Sequence, residues 1–228
     1  MGGELKQFLD QRRVLLAIAA PSEWQAVAKG LGVTLDLPAY WSRVSMTDRC
    51  DAVLTGVGKA NAAGACALAL DPGRHALVVS LGIAGTLVDA PLCSRVIATA
   101  CVFGDEGVAT PDAFQSLASL GFPIAESDTL TPDPAAIEVV APPEARRGPI
   151  ACVSACSGTN AARDALRART GAIAESMEGA SVALVAWRRG IPFAELRVIS
   201  NTCGDRATQR WDLKGALAAL GECARAFA

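Results

Sequence analysis

The alternation of short apolar segments with helix-forming segments limits the fold of this chain more than any other feature. Six segments are apolar almost throughout, as buried strands are: residues 14–20, 51–55, 77–81, 96–103, 150–155 and 193–200. Helix-type segments follow most of them, at residues 22–30 (with Ser22 as the predicted N-cap), 59–70, 161–169, 182–189 and 213–227. Strands that are apolar on both faces are typical of parallel sheets covered by helices on both sides. The sequence therefore predicts an α/β fold with a central, mainly parallel (mixed) sheet flanked by helices.

The chain shows neither an internal repeat nor a linker, and its 228 residues are within the range of one domain. We therefore expect a single domain over residues 1–228, with residues 1–12 as a short N-terminal extension. Prolines and polar turn residues are concentrated in residues 104–148. They predict long loops there, with one helix near residues 113–120.

Composition excludes several classes of protein. With 21 basic and 23 acidic residues, no polybasic surface for nucleic acid is expected. The apolar stretch 76–88 is too short to cross a membrane, and no secretory signal precedes the first strand. The eight cysteines are interpreted as reduced thiols, and the single histidine, His75, as a surface loop residue after a Pro-Gly turn, so no zinc site is predicted. We expect a cytoplasmic protein with no metal, no cofactor, no nucleic-acid partner and no membrane contact.

Ligands of such sheets bind beyond the carboxyl ends of the strands, which selects residues 20–23, 81–86, 154–159 and 201–205. The second of these segments contains Gly82 and Gly85, read either as a turn that lets backbone N–H groups approach a ligand or as an ordinary strand exit. Residues 56–59 (GVGK) lie at the same edge. They lack the Ser or Thr of a Walker loop and the third glycine of a dinucleotide fingerprint, so a tight packing turn is the favoured interpretation.

Three charged residues and one amide at these strand ends are candidates for catalysis. Residues 175–180 (ESMEGA) are predicted to open a helix, which Glu175 or Glu178 would cap; the alternative is that Glu178, beside Met177, presents a carboxylate to sugar hydroxyls or a developing cation. Glu23 likewise caps a helix or acts as a base. Arg197 lies in an apolar strand and needs an anionic partner, for which Glu178 and Glu23 are candidates. Asn201 follows that strand, where the alternative is a turn cap.

Taken together, these segments resemble the purine nucleoside phosphorylase superfamily, in its branch of methylthioadenosine and adenosylhomocysteine nucleosidases. The resemblance is carried by residues 20–23 (APSE), 55–60 (TGVGKA), 79–85 (VSLGIAG), 175–180 (ESMEGA) and 197–201 (RVISN). Within this branch the chain is most similar to the futalosine hydrolase family, on residues 104–107 (GDEG), 157–159 (SGT), 169–172 (RTGA) and the C-terminal helix around Trp211. The resemblance spans about residues 13–220 and implies the phosphorylase/hydrolase-like fold.

The resemblance implies a role for each candidate residue. Glu178 would bind the ribose hydroxyls and stabilise oxocarbenium-like charge on the sugar, Glu23 would take a proton from the attacking water, and Arg197 would orient the carboxylates. The implied substrate-binding residues are Ile83, Ala84 and Gly85 around the water and sugar, Ser157, Gly158 and Thr159 beside the base, and Ser176 and Met177 next to Glu178.

Three positions depart from the nucleosidase pattern. Ile83 stands where those enzymes carry a serine, and residues 154–159 lack the aromatic that stacks on adenine. Asn201 stands where the adenine-cleaving relatives use an aspartate that can protonate N7. An amide cannot serve as such an acid, but it can bridge N7 and O6 of a 6-oxopurine. Asn201 therefore favours hypoxanthine as the leaving base.

The resemblance thus implies hydrolysis of the N-ribosyl bond of futalosine, releasing hypoxanthine and dehypoxanthine futalosine in menaquinone biosynthesis. The expected partners are a small-molecule nucleoside and water, in a homodimer or higher homo-oligomer. One alternative is a methylthioadenosine/adenosylhomocysteine-type nucleosidase. Another is a 6-oxopurine nucleoside phosphorylase, but phosphorylases of this superfamily carry an arginine soon after the first strand, where this chain reads PSEW at residues 21–24. An NAD-dependent oxidoreductase would need the missing fingerprint, and a catalytically silent nucleoside-binding protein would not need Glu23, Glu178 and Arg197.

Overall fold

The computed structural model describes residues 12–228, so the predicted N-terminal extension lies, apart from Arg12, outside the described residues. The strands are β1 Arg13–Ile18, β2 Arg43–Ser45, β3 Cys50–Leu54, β4 His75–Thr86, β5 Arg95–Phe103, β6 Gly107–Ala109, β7 Phe114–Ser116, β8 Thr129–Leu130, β9 Arg146–Cys152, β10 Ala174–Ser176 and β11 Phe193–Thr202. The α-helices are α1 Pro21–Gly30, α2 Lys59–Ala69, α3 Pro134–Val140, α4 Asn160–Thr170, α5 Gly179–Arg188 and α6 Leu213–Ala224, and short 3₁₀ turns span Arg206–Thr208 and Arg225–Phe227.

Nine of the strands form one mixed sheet in the order β10-β9-β5-β11-β4-β1-β3-β2, with β8 beside β5. Strand β1 is parallel to β3 and β4, β4 is parallel to β11, and β9 is parallel to β5 and β10. The short β10 also pairs antiparallel with β4, which closes five strands into a small barrel. The predicted α/β fold with a mainly parallel, mixed sheet and flanking helices is confirmed.

Helices cover both faces of the sheet, because successive strand residues bury their side chains on opposite faces. In β1, Leu16 and Ile18 pack in the cluster that includes Trp24 of α1 and Leu220 of α6. Leu15 and Ala17 pack in the cluster that includes residues of α2 and α5. Helices α1 and α6 pack very closely against each other, since a Cβ on Gly30 would overlap the carbonyl group of Gly221. Among residues 12–228, no helix is both long and apolar enough to span a bilayer.

Four local predictions were wrong, and in three of them pairing with another strand outweighed the local signal. Strand β4 does not end at a turn but runs extended through Gly82 and Gly85, since β11 pairs with it from Val78 to Thr86, with one register shift at Ser200. Residues 113–120 hold no helix: β7 pairs with β6 there, and the nearest helix is α3, capped by Asp133. Helix α1 begins at Pro21 after Ala20, so Ser22 is not its N-cap. The segment from residue 175 begins as strand β10, and α5 begins only at Gly179.

His75 is not a surface residue. It is the first residue of β4 and is fully buried. Its Nε2 lies 3.0 Å from a carboxylate oxygen of Asp51, and its Nδ1 accepts a 3.0 Å hydrogen bond from the backbone N–H of Asp71. The buried carboxylate attracts the imidazole into the protein, so a Pro-Gly turn before a strand did not indicate exposure here.

Candidate active site

The candidate residues meet at the carboxyl ends of the parallel strands, as expected for such a sheet. Glu23 follows β1, Gly58 follows β3, and Glu178 lies between β10 and α5. Arg197 and Asn201 lie on β11 beside β4. The structure therefore brings the four proposed catalytic residues to one edge of the molecule.

Glu23 is a buried carboxylate that two backbone amides hold. Its Oε2 accepts the N–H of Ala20 at 2.9 Å, which completes a capping box at the start of α1, and its Oε1 accepts the N–H of Ile83 at 2.8 Å. Only 3% of Glu23 is exposed. Burial raises the pKa of Glu23 above its usual range, although the positive charge of Arg197 opposes the shift. A carboxyl whose pKa lies closer to neutral suits a general base.

Arg197 is fully enclosed and connects three polar side chains. Its Nε donates to Oε1 of Glu195 at 2.9 Å, and its Nη2 donates to Oγ of Ser80 at 2.8 Å. Its Nη1 lies 3.4 Å from Oε2 of Glu178. The predicted anionic partner Glu178 is therefore confirmed, but the closer partner, Glu195, lies two residues away on the same strand and was missed. Burial disfavours the charged guanidinium, yet the surrounding carboxylates outweigh burial and raise the pKa of Arg197.

Glu178 faces the turn after β3. Its Oε1 accepts the backbone N–H of Gly58 at 3.1 Å, and its side chain makes no capping hydrogen bond to α5 although it occupies the N-cap position. The alternative interpretation as a helix cap is thus not supported. Ser176 instead donates its hydroxyl to Glu195 at 2.8 Å, so it supports the partner of Arg197. Met177, half-buried, lies between Ser176 and Glu178.

Gly82 allows the side chains of Glu23 and Arg197 to approach the backbone of β4 closely. A Cβ at this position would lie 2.5 Å from Nη1 of Arg197 and 2.6 Å from Oε1 of Glu23. No side chain fits in that space without displacing one of the two. Gly82 therefore does not form the predicted turn. A glycine is needed at this position because two charged side chains lie close to the backbone of β4.

A cavity of about 320 Å³ opens next to this group. It is lined by Gly85, Cys156, Ser157, Gly158, Glu175, Asn201, Arg206, Gln209 and Trp211. The predicted residues Gly85, Ser157 and Gly158 thus share one cavity with Asn201. Thr159 is not in its lining, because its hydroxyl accepts the N–H of Ala162 and caps α4.

Sequence reasoning missed several residues of this cavity. Trp211 reaches it because residues 201 and 211 form a β-bridge, which a local pattern does not reveal. The guanidinium of Arg206 lies 5.0 Å from the centre of the Trp211 ring, and the indole N–H donates to Gln209 at 3.3 Å. The cavity is therefore lined by an aromatic ring, that of Trp211, although residues 154–159 contain none. Glu175 was noticed only as a possible helix cap.

Lys59 adjoins the site but is already paired. Its ammonium group forms ion pairs with Asp105 and Glu106 and lies 5.8 Å from the centre of the Phe103 ring. Asp105 also accepts the backbone N–H of Ser154 at 2.6 Å, which connects residues 104–107 to the loop that lines the cavity. These contacts commit the charge of Lys59 to carboxylates of the protein itself.

Comparisons with known proteins agree with this geometry. The family model described as the phosphorylase superfamily matches residues 47–228. A futalosine hydrolase of Acidothermus cellulolyticus is 38% identical over 216 residues, covering 92% of this chain and 87% of the relative. A futalosine hydrolase of Streptomyces coelicolor is also 38% identical, over 225 residues and 91% of each chain. A solved structure of a futalosine hydrolase from Helicobacter pylori superposes with a TM-score of 0.72 at 20% identity, covering 95% of this chain and 94% of the other.

Proposed function

The chain belongs to the phosphorylase superfamily, and on that premise we propose that it hydrolyses the N-ribosyl bond of futalosine, releasing hypoxanthine and dehypoxanthine futalosine in menaquinone biosynthesis. It is an N-glycosyl hydrolase, as its 38% identical relatives are. The observation that carries the mechanism is the buried pair of carboxylates, Glu23 and Glu178, on either side of Arg197.

Glu178 acts on the sugar. As the C1′–N9 bond breaks, positive charge develops on the ribose, and a carboxylate held in a dry site stabilises that charge strongly. Arg197 and the N–H of Gly58 fix its two oxygens, so one face of the carboxylate is oriented before the substrate binds. Glu178 accepts hydrogen bonds from the ribose hydroxyls in this arrangement.

Glu23 acts on the water. Its ionised form accepts a proton from the water while the water oxygen bonds to C1′, and the departing base keeps the electron pair of the C1′–N9 bond. The amides of Ala20 and Ile83 keep its oxygens in place for this transfer. Ile83 thus contributes through its backbone, which explains how the site is built without the serine that related nucleosidases have at this position.

Asn201 favours a 6-oxopurine as the leaving base. Its Oδ1 accepts the hydroxyl of Ser200 at 2.9 Å, and one of its two amide N–H bonds donates to the carbonyl of Thr202 at 3.2 Å, which leaves the other N–H to donate towards the cavity that it lines. That group can donate to N7 or O6, where the negative charge of departing hypoxanthine collects. Asn201→Asp is expected to lower cleavage of the 6-oxopurine substrate relative to its 6-amino analogue.

Water, and not phosphate, is the proposed nucleophile. The loop after β1 supplies the carboxylate of Glu23, which would repel a phosphate ion, and no arginine follows the strand there. The cations Arg197 and Lys59 each face two carboxylates of the chain. A phosphorylase needs cations that are available to the anion.

The test is release of hypoxanthine from futalosine in phosphate-free buffer and in buffer with phosphate, followed by chromatography. We expect equal rates and no sugar phosphate, and no release by the Glu178→Gln variant. Methylthioadenosine and inosine serve as competing substrates. A strict requirement for phosphate, or preferential cleavage of methylthioadenosine, would contradict the proposal.

A homodimer or higher homo-oligomer is proposed from an exposed apolar surface. The loop after α1 exposes four large apolar side chains, those of Leu35, Leu37, Tyr40 and Trp41. The Trp41 ring lies against Gly64 of helix α2, and Leu68 of the same helix is also exposed. Several large exposed apolar side chains in one segment are typical of protein interfaces. Sedimentation equilibrium of the wild type and of Trp41→Glu tests the proposal, and a monomeric wild type would contradict it.

We also propose one domain and a cytoplasmic location. The last helix, α6, packs against the first, α1, so the two ends of the described chain share one core. All eight cysteines lie in residues 12–228 as free thiols, and six of them are buried in the apolar core, where a reducing compartment keeps them.

A further inference from the structure

Glu175 is a buried carboxylate in the wall of the cavity of about 320 Å³ that Asn201 lines, here named the base cavity because the purine is proposed to bind in it. The mechanism above gives Glu175 no role. It is 4% exposed and lies on the short strand β10, three residues before Glu178. It lines the same cavity as Asn201. A buried carboxylate is costly unless it is hydrogen-bonded, so its position in a ligand cavity requires an explanation.

The sheet register places Glu175 and Asn201 on either side of Gly85. Gly85 of β4 pairs with Glu175 of β10 on one side and with Asn201 of β11 on the other. With strands about 4.8 Å apart, the two Cα atoms are separated by about 10 Å. Gly85 has no side chain of its own, which lets its neighbours approach closely, since a Cβ there would lie 3.1 Å from Nδ2 of Asn201 and 2.5 Å from Sγ of Cys203. The Cys203 thiol, which hydrogen-bonds Glu175, thus lies against Gly85, and the carboxylate and the amide lie on either side of that residue.

The hydrogen bonds of Glu175 define how many further donors the carboxylate can accept. Its Oε1 accepts the backbone N–H of Ser157 at 2.8 Å, and its Oε2 accepts the hydroxyl of Ser157 at 2.6 Å. Both contacts come from donors, so both oxygens act as acceptors. A carboxylate can accept about four hydrogen bonds, and because the thiol of Cys203 also hydrogen-bonds Glu175, one position remains for a donor in the cavity.

We propose that Glu175 recognises the N1–H group of a 6-oxopurine base, next to Asn201 at N7 and O6. The inference rests on the proposed function, since it names the base-reading partner of that same site. In hypoxanthine, N1–H is a donor adjacent to O6, and it matches a carboxylate. In adenine, N1 carries a lone pair, which a carboxylate repels. Glu175 and Asn201 together therefore present the acceptor and donor that distinguish the two bases.

The variant Glu175→Gln tests this assignment. The amide oxygen of the glutamine is expected to take the N–H of Ser157, and its NH₂ group to face the Ser157 hydroxyl, which can also accept. A donor then stands where N1 of the base lies. The ratio of kcat/KM for futalosine over its 6-amino analogue should fall by at least ~10-fold, because a buried donor would face N1–H unsatisfied.

Ser157→Ala is the matched control. It removes one hydrogen bond to Glu175 but keeps the carboxylate, so cleavage of both bases should fall together and their ratio should stay close to that of the wild type. If Glu175 only holds the loop around Ser157, the two variants will change the ratio alike, and that result would overturn the assignment.

A second measurement does not depend on how the variant folds. Futalosine methylated at N1 has no N1–H, and the wild type should cleave it at least ~10-fold more slowly than futalosine. Methylation should cost the Glu175→Gln variant less, because its contact with N1–H is already lost. Equal cleavage of both substrates by the wild type would overturn the assignment of Glu175 while leaving the proposed function intact. No cleavage of futalosine at all would overturn both.

Discussion

At the scale of single residues, the site depends on a carboxylate whose pKa is raised by burial. Because burial raises the pKa of Glu23 and a general base must be ionised, kcat/KM should fall as the pH is lowered through that raised pKa, above the usual 4.5. Glu23→Gln should lose ~10²–10⁴-fold in kcat and lose this acidic limb of the profile. Rates measured from pH 4 to 8 on futalosine check both points. If the variant keeps the same limb, another group titrates and Glu23 only caps α1.

A second residue-scale prediction concerns Trp211. Its ring reaches the base cavity with Arg206 at 5.0 Å and is half exposed, so it can stack on the purine. Trp211→Ala should raise KM by roughly 5- to 150-fold, following the ~1–3 kcal/mol of base stacking, with a smaller effect on kcat. Trp211→Phe should retain most of the affinity.

Trp187→Ala is the control for Trp211. Trp187 is also partly exposed and has Arg188 at 4.7 Å from its ring centre, but it lies on α5 away from the cavity lining. Its loss should leave KM unchanged. Equal KM values for both alanine variants would show that Trp211 does not contact the base.

At the scale of elements, strand β4 separates the two halves of the site through its glycines. Gly82→Ala would place a Cβ 2.5 Å from Arg197 and 2.6 Å from Glu23, so kcat should fall about 100-fold, the effect of displacing a reacting group by about 1 Å. Gly85→Ala would instead crowd Asn201 and Cys203 and should raise KM and alter the choice of base. Steady-state kinetics of the two variants on futalosine compare identical substitutions three residues apart. The same change of kcat and KM in both would argue against separate sugar and base halves.

At the scale of the whole molecule, a charged cluster secures the sheet edge opposite the site. Asp51 is fully buried and pairs with Arg13 at 2.7 Å and Arg74 at 2.5 Å, with His75 at 3.0 Å. Asp51→Asn should lower the free energy of unfolding by about 3 kcal/mol, near the lower end for breaking a buried pair since both arginines are partly exposed. The rate constant kcat well below the melting temperature should not change, because the cluster lies at the amino ends of β1, β3 and β4.

The same cluster predicts how stability depends on pH. Burial opposes the charged form of Asp51, but hydrogen bonds from Arg74, Arg13, Ser45 and His75 outweigh it and lower the pKa of this carboxyl. A lowered pKa stabilises the fold at pH values above about 4 and loses this effect as the pH falls further. Urea unfolding at pH 7 and pH 3 should therefore differ more for the wild type than for Asp51→Asn. Glu138→Gln, which breaks the exposed pair with Arg147, serves as the control and should behave as the wild type.

The sequence by itself determined the class of fold and the identity of the residues at the strand ends. Continuous apolar strands can be buried on both faces only between layers of helices, so the local pattern was sufficient for the α/β fold. Glu23 and Asn201 were found because the carboxyl ends of parallel strands must meet at one edge, wherever the strands lie in the sheet. Arg197 was found as a charge in an apolar strand, and Glu178 as an acidic residue at a predicted helix start.

Only the tertiary structure decided which groups face each other there. Glu195 as the partner of Arg197, Trp211 in the base cavity and Glu175 opposite Asn201 all depend on strand order and register. The straight path of β4 through Gly82 and the burial of His75 against Asp51 do so as well. Periodicity records which side of an element is buried, whereas pairing between distant segments is set by long-range packing and by the need to satisfy buried charges, for which a local pattern has no signal.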